Sequence, residues 1–205
     1  MTIIRKNISK KPLYIIGIDE VGRGPIAGPV AVGVFTFLRP EAKRLFRGVK
    51  ESKQLSEEKR EEWFDRIKIA QKNRHIDFCV TFQNEKIIDN KGLSYAIKTA
   101  LNISLNTLSS SLKVKSDQVR VLLDGGLKAP IDYTNQKTII KGDEKEMIIA
   151  LASICAKVLR DRKMNKLGKK YSKYGFERHK GYGTSGHYKA IKNYGVLSVH
   201  RKSFI

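Results

Sequence analysis

Apolar residues crowd into residues 13–18 and 28–37, with a glycine- and proline-rich stretch between them, a pattern that predicts two strands joined by a short loop. The period then changes. Residues 56–70, "SEEKREEWFDRIKIA", carry acids in the first turn and Trp63, Phe64, Ile67 and Ala70 at helical spacing, so an amphipathic helix is expected. "HIDFCVTF" (75–82) alternates like a third strand, and Leu93, Ile97, Leu101, Leu105 and Leu108 form the stripe of a second helix. "QVRVLLDGG" is a short apolar strand ending at Asp124, and "KTIIKGD" (137–143) is a weaker one ending at Asp143. In "EKEMIIALASICAKVLRDRKM", Met147, Leu151, Ile154, Cys155 and Val158 recur at helix spacing. The small residues Ala152, Ser153 and Ala156 suit that helix to close packing. Beyond residue 165 Lys, Tyr, Gly and His dominate, with a short helix near 186–194.

The order β, β, α, β, α, β, β, α describes an α/β chain with a mixed sheet flanked by helices. Its 205 residues suit a single domain, with a core over about 13–164 and a basic helical extension over about 165–205. No repeat, linker or low-complexity tract interrupts it.

Charge adds a partner. Forty-one Lys and Arg against twenty Asp and Glu leave a formal charge of +21, and such an excess repels itself unless a polyanion is the usual partner. Residues 141–205 hold sixteen of the basic and five of the acidic residues, so this end is expected to face nucleic acid. A basic surface kept for solubility or for acidic proteins is the alternative. Cys79 and Cys155 sit singly in apolar stretches without ligand spacing, and read as buried thiols of a reducing cytoplasm. The opening "MTIIRKNISKKPLYIIG" lacks the apolar core of a signal peptide, and no window is long enough to span a bilayer. The expectation is a soluble cytoplasmic protein with no membrane partner.

Three acids share one setting. Asp19, Asp124 and Asp143 each follow an apolar strand-like run, where the chain leaves the sheet. Neighbouring strands lie about 4.8 Å apart, so such carboxylates can share a cation. Oxygen-only ligands suit Mg²⁺ or Mn²⁺. Each acid also has an ordinary reading: Asp143 with Glu146 three residues on fits a capping box, and Asp124-Gly125-Gly126 is a good turn. Glu20, adjacent to Asp19, would point to the opposite face of a regular strand unless the strand bends or ends there.

Gly22, Gly24 and Ala27 match the G-x-G-x-x-A dinucleotide fingerprint, but the residues beyond, "GPIAGPVAVGVF", read as strand where a Rossmann loop must open a helix. The turn is then either structural or a backbone donor for a phosphodiester or sugar.

Taken together, "GIDEVGRGPIAGPV", "ESKQLSEEKR", "VLLDGG", "KGDEKEMIIALASICAKVLRDR", "YGFERHKGYGT" and "HRKSF" resemble the ribonuclease HII family (type 2 ribonuclease H), in the family's order and from about residue 14 almost to the C-terminus. The resemblance implies a ribonuclease H-like sheet with a C-terminal helical extension. It implies a metal-dependent endonuclease that cuts the RNA strand of RNA–DNA hybrids and nicks 5′ to single ribonucleotides in duplex DNA. The products carry 3′-hydroxyl and 5′-phosphate ends, and the role is ribonucleotide removal from DNA. Two metals, Mg²⁺ or Mn²⁺, would be held by Asp19 and Glu20 of "IDE", Asp124 and Asp143.

Substrate contacts carried over by motif are Gly22, Arg23 and Gly24 of the turn, Ser52 and Lys53 of "ESKQL", Ser153, and Tyr182 of "KGYGT". In the resemblance the turn and Tyr182 meet the ribose 2′-hydroxyl. Glu51 and Gln54 depart from the family's "DSKKL"; the missing lysine bears on one contact to the nucleic-acid backbone and not on the chemistry. Arg160 and Asp161 read as a structural pair, and His179, His187 and His200 as hydrogen-bonding or phosphate-facing groups, since their spacing suits no metal cluster. Two alternatives remain: a non-catalytic nucleic-acid-binding protein, which four retained carboxylates disfavour, and the related ribonuclease HIII, which Arg23 in the turn and the short lead before the first strand disfavour. Family members are typically monomers, and the sequence names no protein partner.

Overall fold

The computed structural model describes residues 13–205, so most of the stretch inspected for a signal peptide lies outside the described residues. A five-stranded sheet forms the centre, in the order β3-β2-β1-β4-β5. β1 (Tyr14–Val21), β2 (Val30–Phe37) and β3 (Ile76–Gln83) are antiparallel, and β4 (Val119–Asp124) and β5 (Gln136–Ile139) continue the sheet in parallel with β1. The expected mixed sheet is therefore present.

Alternation along the strands divides the core. Ile16, Ile18, Val32, Val34, Val121 and Leu123 face α3 (Leu93–Leu112), whose stripe Ile97, Leu101, Leu105 and Leu108 is buried against them. Phe35 and Leu122 face the other layer, formed by α5 (Met147–Lys170) and α1 (Glu57–Lys72). Ser56 caps α1, its side chain accepting from the Lys59 amide at 3.2 Å.

Glycine sets the distance between α5 and the sheet. A Cβ on Gly17 would lie 2.5 Å from the Ile148 carbonyl group, and one on Gly33 would collide with the Ala152 carbonyl oxygen. The helix backbone therefore rests directly on β1 and β2, with Ala152, Ser153 and Ala156 as its matching small residues.

α5 runs on past the sheet to Lys170, and α6 (Phe176–His179) and α7 (Ser185–Tyr194) follow. Ala27, Met164, Tyr174, Phe176 and Ala190 form a separate cluster there. The chain end returns to the loop between β1 and β2 through a bridge of Ala27 to His200.

Several boundaries differ from the sequence reading. β5 ends at Ile139, so Asp143 does not close a strand; it sits within a four-residue helix, α4 (Gly142–Lys145). The capping box expected of Asp143 and Glu146 is absent, because Glu146 itself stands at the N-cap of α5 and makes no side-chain cap bond. A further short helix, α2 (Glu85–Lys91), precedes α3 and is separated from it by Gly92 at φ 87°. Cys155 is buried as expected, but Cys79 on the β3 edge strand is only half-buried, and both are free thiols. Among the described residues no helix is long and apolar enough to cross a membrane.

Gly33→Ala should lower stability by about 1–3 kcal/mol, because the new methyl must push α5 off β2. Urea unfolding of the two proteins measures the difference.

Candidate active site

β1 and β4 run in parallel with Ile18 opposite Leu123, so the next step of the register brings Asp19 beside Asp124. Both share the parity of residues that face α5 rather than α3. Asp143 reaches the same place from α4, after the chain turns at Lys141 in the left-handed region (φ 54°). The Gly142 amide donates to Asp124 Oδ1 at 2.6 Å, tying α4 to the end of β4. One carboxylate oxygen from each of Asp19, Asp124 and Asp143 lies within 4.8 Å of the others. The expected convergence of these three is what the fold produces.

Their charge is poorly compensated by the protein. Burial pushes the Asp19 carboxyl well above the usual carboxylate range; a hydrogen bond with Ser153 offsets part of this, and the charges of Glu20 and Asp124 add to it. Asp143 Oδ2 is buried without a hydrogen-bond partner and has only the Lys53 ammonium 3.5 Å away, a distance of charge attraction rather than hydrogen bonding. A cluster of oxygens with an unsatisfied, buried acceptor and a carboxyl driven toward its neutral form fits a hard divalent cation.

Glu20 stands apart from the three aspartates. Its parity is that of Ile16 and Ile18, and its Oε1 accepts from the Arg23 guanidinium at 3.0 Å. Its second oxygen, Oε2, is buried without a partner. Burial raises its pKa, and the bond from Arg23 opposes the rise.

Ser52 and Ser153 are both buried, and their hydroxyl oxygens are 2.7 Å apart. Arg60 of α1 holds that segment by donating to the carbonyls of Ser52 (2.9 Å) and Leu55. Glu51 and Gln54, the two departures from the family pattern, line a groove with Asp143 and Lys145. A separate apolar cavity, lined by Tyr14, Phe37, Leu122 and Met147, lies toward the start of β1 and presents no acidic cluster.

The Gly22-Arg23-Gly24 turn and Tyr182 are neighbours, since a Cβ on Gly24 would stand 3.5 Å from the Tyr182 ring. Gly22 has φ 94° and lies against the Arg160 side chain, so no other residue fits there without strain. Tyr182 is 46% exposed, which leaves its ring open to a ligand.

Two fully buried arginines organise this region. Arg160 donates from Nε to the Pro29 carbonyl (2.9 Å) and from Nη1 to that of Lys180 (3.1 Å). Arg160 and Asp161, read as structural residues, are both buried and do not pair with each other; Asp161 pairs with Lys157 at 2.8 Å and, at 4.0 Å, with Arg60. Arg201 bonds the carbonyls of Gly22, Arg23 and Gly28.

The histidines are hydrogen-bonding groups of the extension. The Leu197 amide donates to His200 Nδ1, so His200 carries its proton on Nε2 and donates to His187 Nε2 at 3.1 Å. His187 Nδ1 is then left to donate to the Tyr182 carbonyl at 2.9 Å. Burial lowers the His187 pKa to about 4, consistent with this neutral chain.

Sequence reading missed the roles of Arg60 and Arg201, and read the histidines as hydrogen-bonding groups without showing that His187 and His200 are linked. Arg60 falls in a charged helix face that looks solvated, and Arg201 in a basic tail; each becomes distinctive only once its carbonyl partners, up to 179 residues away, are folded onto it.

The chain is similar to known proteins. A family profile described as ribonuclease HII matches residues 16–205. The ribonuclease HII of Clostridioides difficile is 42% identical over 193 residues, covering 94% of this chain and 70% of that one. That of Bacillus cereus is 44% identical over 192 residues, covering 93% and 68%. Among solved structures, ribonuclease H2 from Pyrococcus horikoshii superposes with a TM-score of 0.72 at 28% identity, over 93% of each chain. With the match reaching across the sheet, the three aspartates and the C-terminal helices alike, the chain belongs to the ribonuclease HII family and is a type 2 ribonuclease H, an endoribonuclease of RNA–DNA hybrids.

Proposed function

We propose that this enzyme, besides cutting the RNA strand of hybrids, nicks duplex DNA on the 5′ side of a single embedded ribonucleotide, leaving 3′-hydroxyl and 5′-phosphate ends. The observation that carries the reading is the convergence of Asp19, Asp124 and Asp143 within 4.8 Å, in a fold that also sets a glycine turn against an exposed tyrosine. Residues 13–164 and the basic extension act as one catalytic unit.

Asp19, Asp124 and Asp143 hold divalent metal, Mg²⁺ or Mn²⁺, with Glu20 at the edge of the site. Bound there, such metal supplies an activated water and neutralises charge on the phosphate and on the departing 3′ oxygen. The protein's part is positioning. Lys53, beside Asp143 and mostly exposed, meets a phosphate, and Ser52 and Ser153 fix the segment that carries it. The ribonucleotide is told from its neighbours by its 2′-hydroxyl, a group that both donates and accepts. Gly22 and Gly24 let backbone approach that hydroxyl, and the Tyr182 phenol bonds it while its ring packs on the adjacent sugar. The excess of basic residues holds the duplex through its phosphates.

A duplex with one ribonucleotide should be nicked 5′ to it in Mg²⁺ or Mn²⁺ and left intact in EDTA; Asp124→Asn should reduce the rate by about 100-fold or more. Gel mapping of the cut checks both, and a wild type no more active than Asp124→Asn would sink the proposal. Tyr182→Ala should lower kcat/KM on the same substrate by about tenfold, the worth of one hydrogen bond, while duplex affinity stays nearly constant. Unchanged cleavage would remove Tyr182 from recognition. Gln54→Lys restores a basic side chain beside Asp143 and should strengthen duplex binding, steepening the dependence of log affinity on log salt by about one unit. Binding titrations across a salt series measure that slope.

A further inference from the structure

Arg201 is wholly buried, yet it has no carboxylate within ion-pair distance among the described residues. Its guanidinium is satisfied by carbonyls of the β1–β2 loop: Nη2 bonds Gly22 O at 2.7 Å, Nη1 bonds Arg23 O at 3.0 Å and Nε bonds Gly28 O at 2.9 Å. Burial, and then the like charge of Arg160, brings its pKa down to about 10, so it remains a cation at neutral pH.

This fixes where the turn's donors point. Each peptide unit is planar, and the described chain contains no cis bond, so a carbonyl and the amide of the following residue face opposite ways. With the carbonyls of Gly22 and Arg23 drawn inward onto Arg201, the amides of Arg23 and Gly24 face outward. Arg23 and Gly24 are exposed, and neither amide donates to a partner among the described residues. A cation on the carbonyl oxygen also polarises the peptide and strengthens its N–H as a donor. The rest of the loop is held equally firmly: the Ile26 amide bonds Gly181 O at 2.9 Å, the Gly28 amide bonds Val199 O at 2.8 Å, and the Arg201 amide bonds Ile26 O at 2.8 Å.

We propose that Arg201 is the positioning residue of ribonucleotide recognition: its guanidinium clamps the Gly22 and Arg23 carbonyls so that the Arg23 and Gly24 amides are presented to the substrate sugar. The inference rests on the turn being the ribose-sensing element. Arg201 touches no substrate itself and acts through the peptide units that it orients. A lysine cannot replace it, because one ammonium on a flexible stem cannot span three carbonyls in a fixed fork.

The test compares wild type with Arg201→Lys by amide NMR in EDTA, where the substrate stays intact, adding a duplex with one ribonucleotide or the same duplex in all-DNA form. Steady-state cleavage in Mg²⁺ is measured in parallel. In wild type, the Arg23 and Gly24 amides should shift more with the ribonucleotide than without it. In Arg201→Lys that difference should vanish and kcat should fall by about 100-fold, as for a small misplacement of a positioning group, with KM nearly unchanged. A variant that keeps both the shift and kcat overturns the role of Arg201 and leaves the sensing turn standing. Wild-type amides that answer both duplexes alike overturn the sensing turn and the proposal with it. Should Arg201→Lys fail to fold, hydrogen exchange of free wild type decides: fast exchange at Arg23 and Gly24 beside a protected Gly28 amide supports the clamp, and protection at the first two overturns it.

Discussion

The close approach of α5 to the sheet is the constraint on which the site depends. Gly17 and Gly33 leave room for helix backbone where any side chain would stand, and Asp19 is paired with Gly33 across the ladder. Because the helix lies so low, Ser153 comes within reach of Asp19, and α4, joined to the start of α5, brings Asp143 to the end of β4. A helix seated at ordinary side-chain distance would carry Ser153 and Asp143 away with it. The carboxylate cluster is thus a product of backbone packing as much as of the acids themselves.

Electrostatics divides the molecule into two regimes. At the sheet end, carboxylates crowd together and one oxygen each of Glu20 and Asp143 is buried without a partner, which leaves an acidic focus in a chain of formal charge +21. Beside it, Arg160 and Arg201 are buried against carbonyls rather than carboxylates. Pairing each with an acid would have neutralised them; carbonyl partners keep the charge and use it to orient backbone. The same economy appears in the neutral chain from Leu197 through His200 and His187 to Tyr182, which fixes a backbone carbonyl without adding charge.

Much of this was legible in the sequence, for identifiable reasons. Strand and helix periods located every long element, because each buries one face against a partner of regular geometry. Asp124 could be recognised as a strand-end acid, and Asp19 as a strand acid by its alternation, although β1 runs on past Asp19 to Val21. Asp143 was found as a candidate but misplaced: the isoleucines before it look like strand to the end, whereas the chain leaves the sheet at Ile139 and turns at Lys141 in a conformation that lysine rarely signals. Glu20 was grouped with the aspartates by its position in the motif; one of its oxygens accepts from Arg23 and the other is buried without a partner. Arg201 was invisible as an organiser, because a basic residue in a basic tail carries no periodic mark, and its partners are defined only by tertiary folding.

The three aspartates come from positions 19, 124 and 143, and no unfolded chain holds them together. A cation that binds this cluster therefore recognises the native state alone, and thermodynamic linkage makes its free concentration a stabilising variable. Above the dissociation constant, each tenfold rise in the ion adds about 1.4 kcal/mol to the free energy of unfolding. Since that increment is a substantial share of a typical domain's margin, such a cation would make the protein's stability depend on the ionic composition around it.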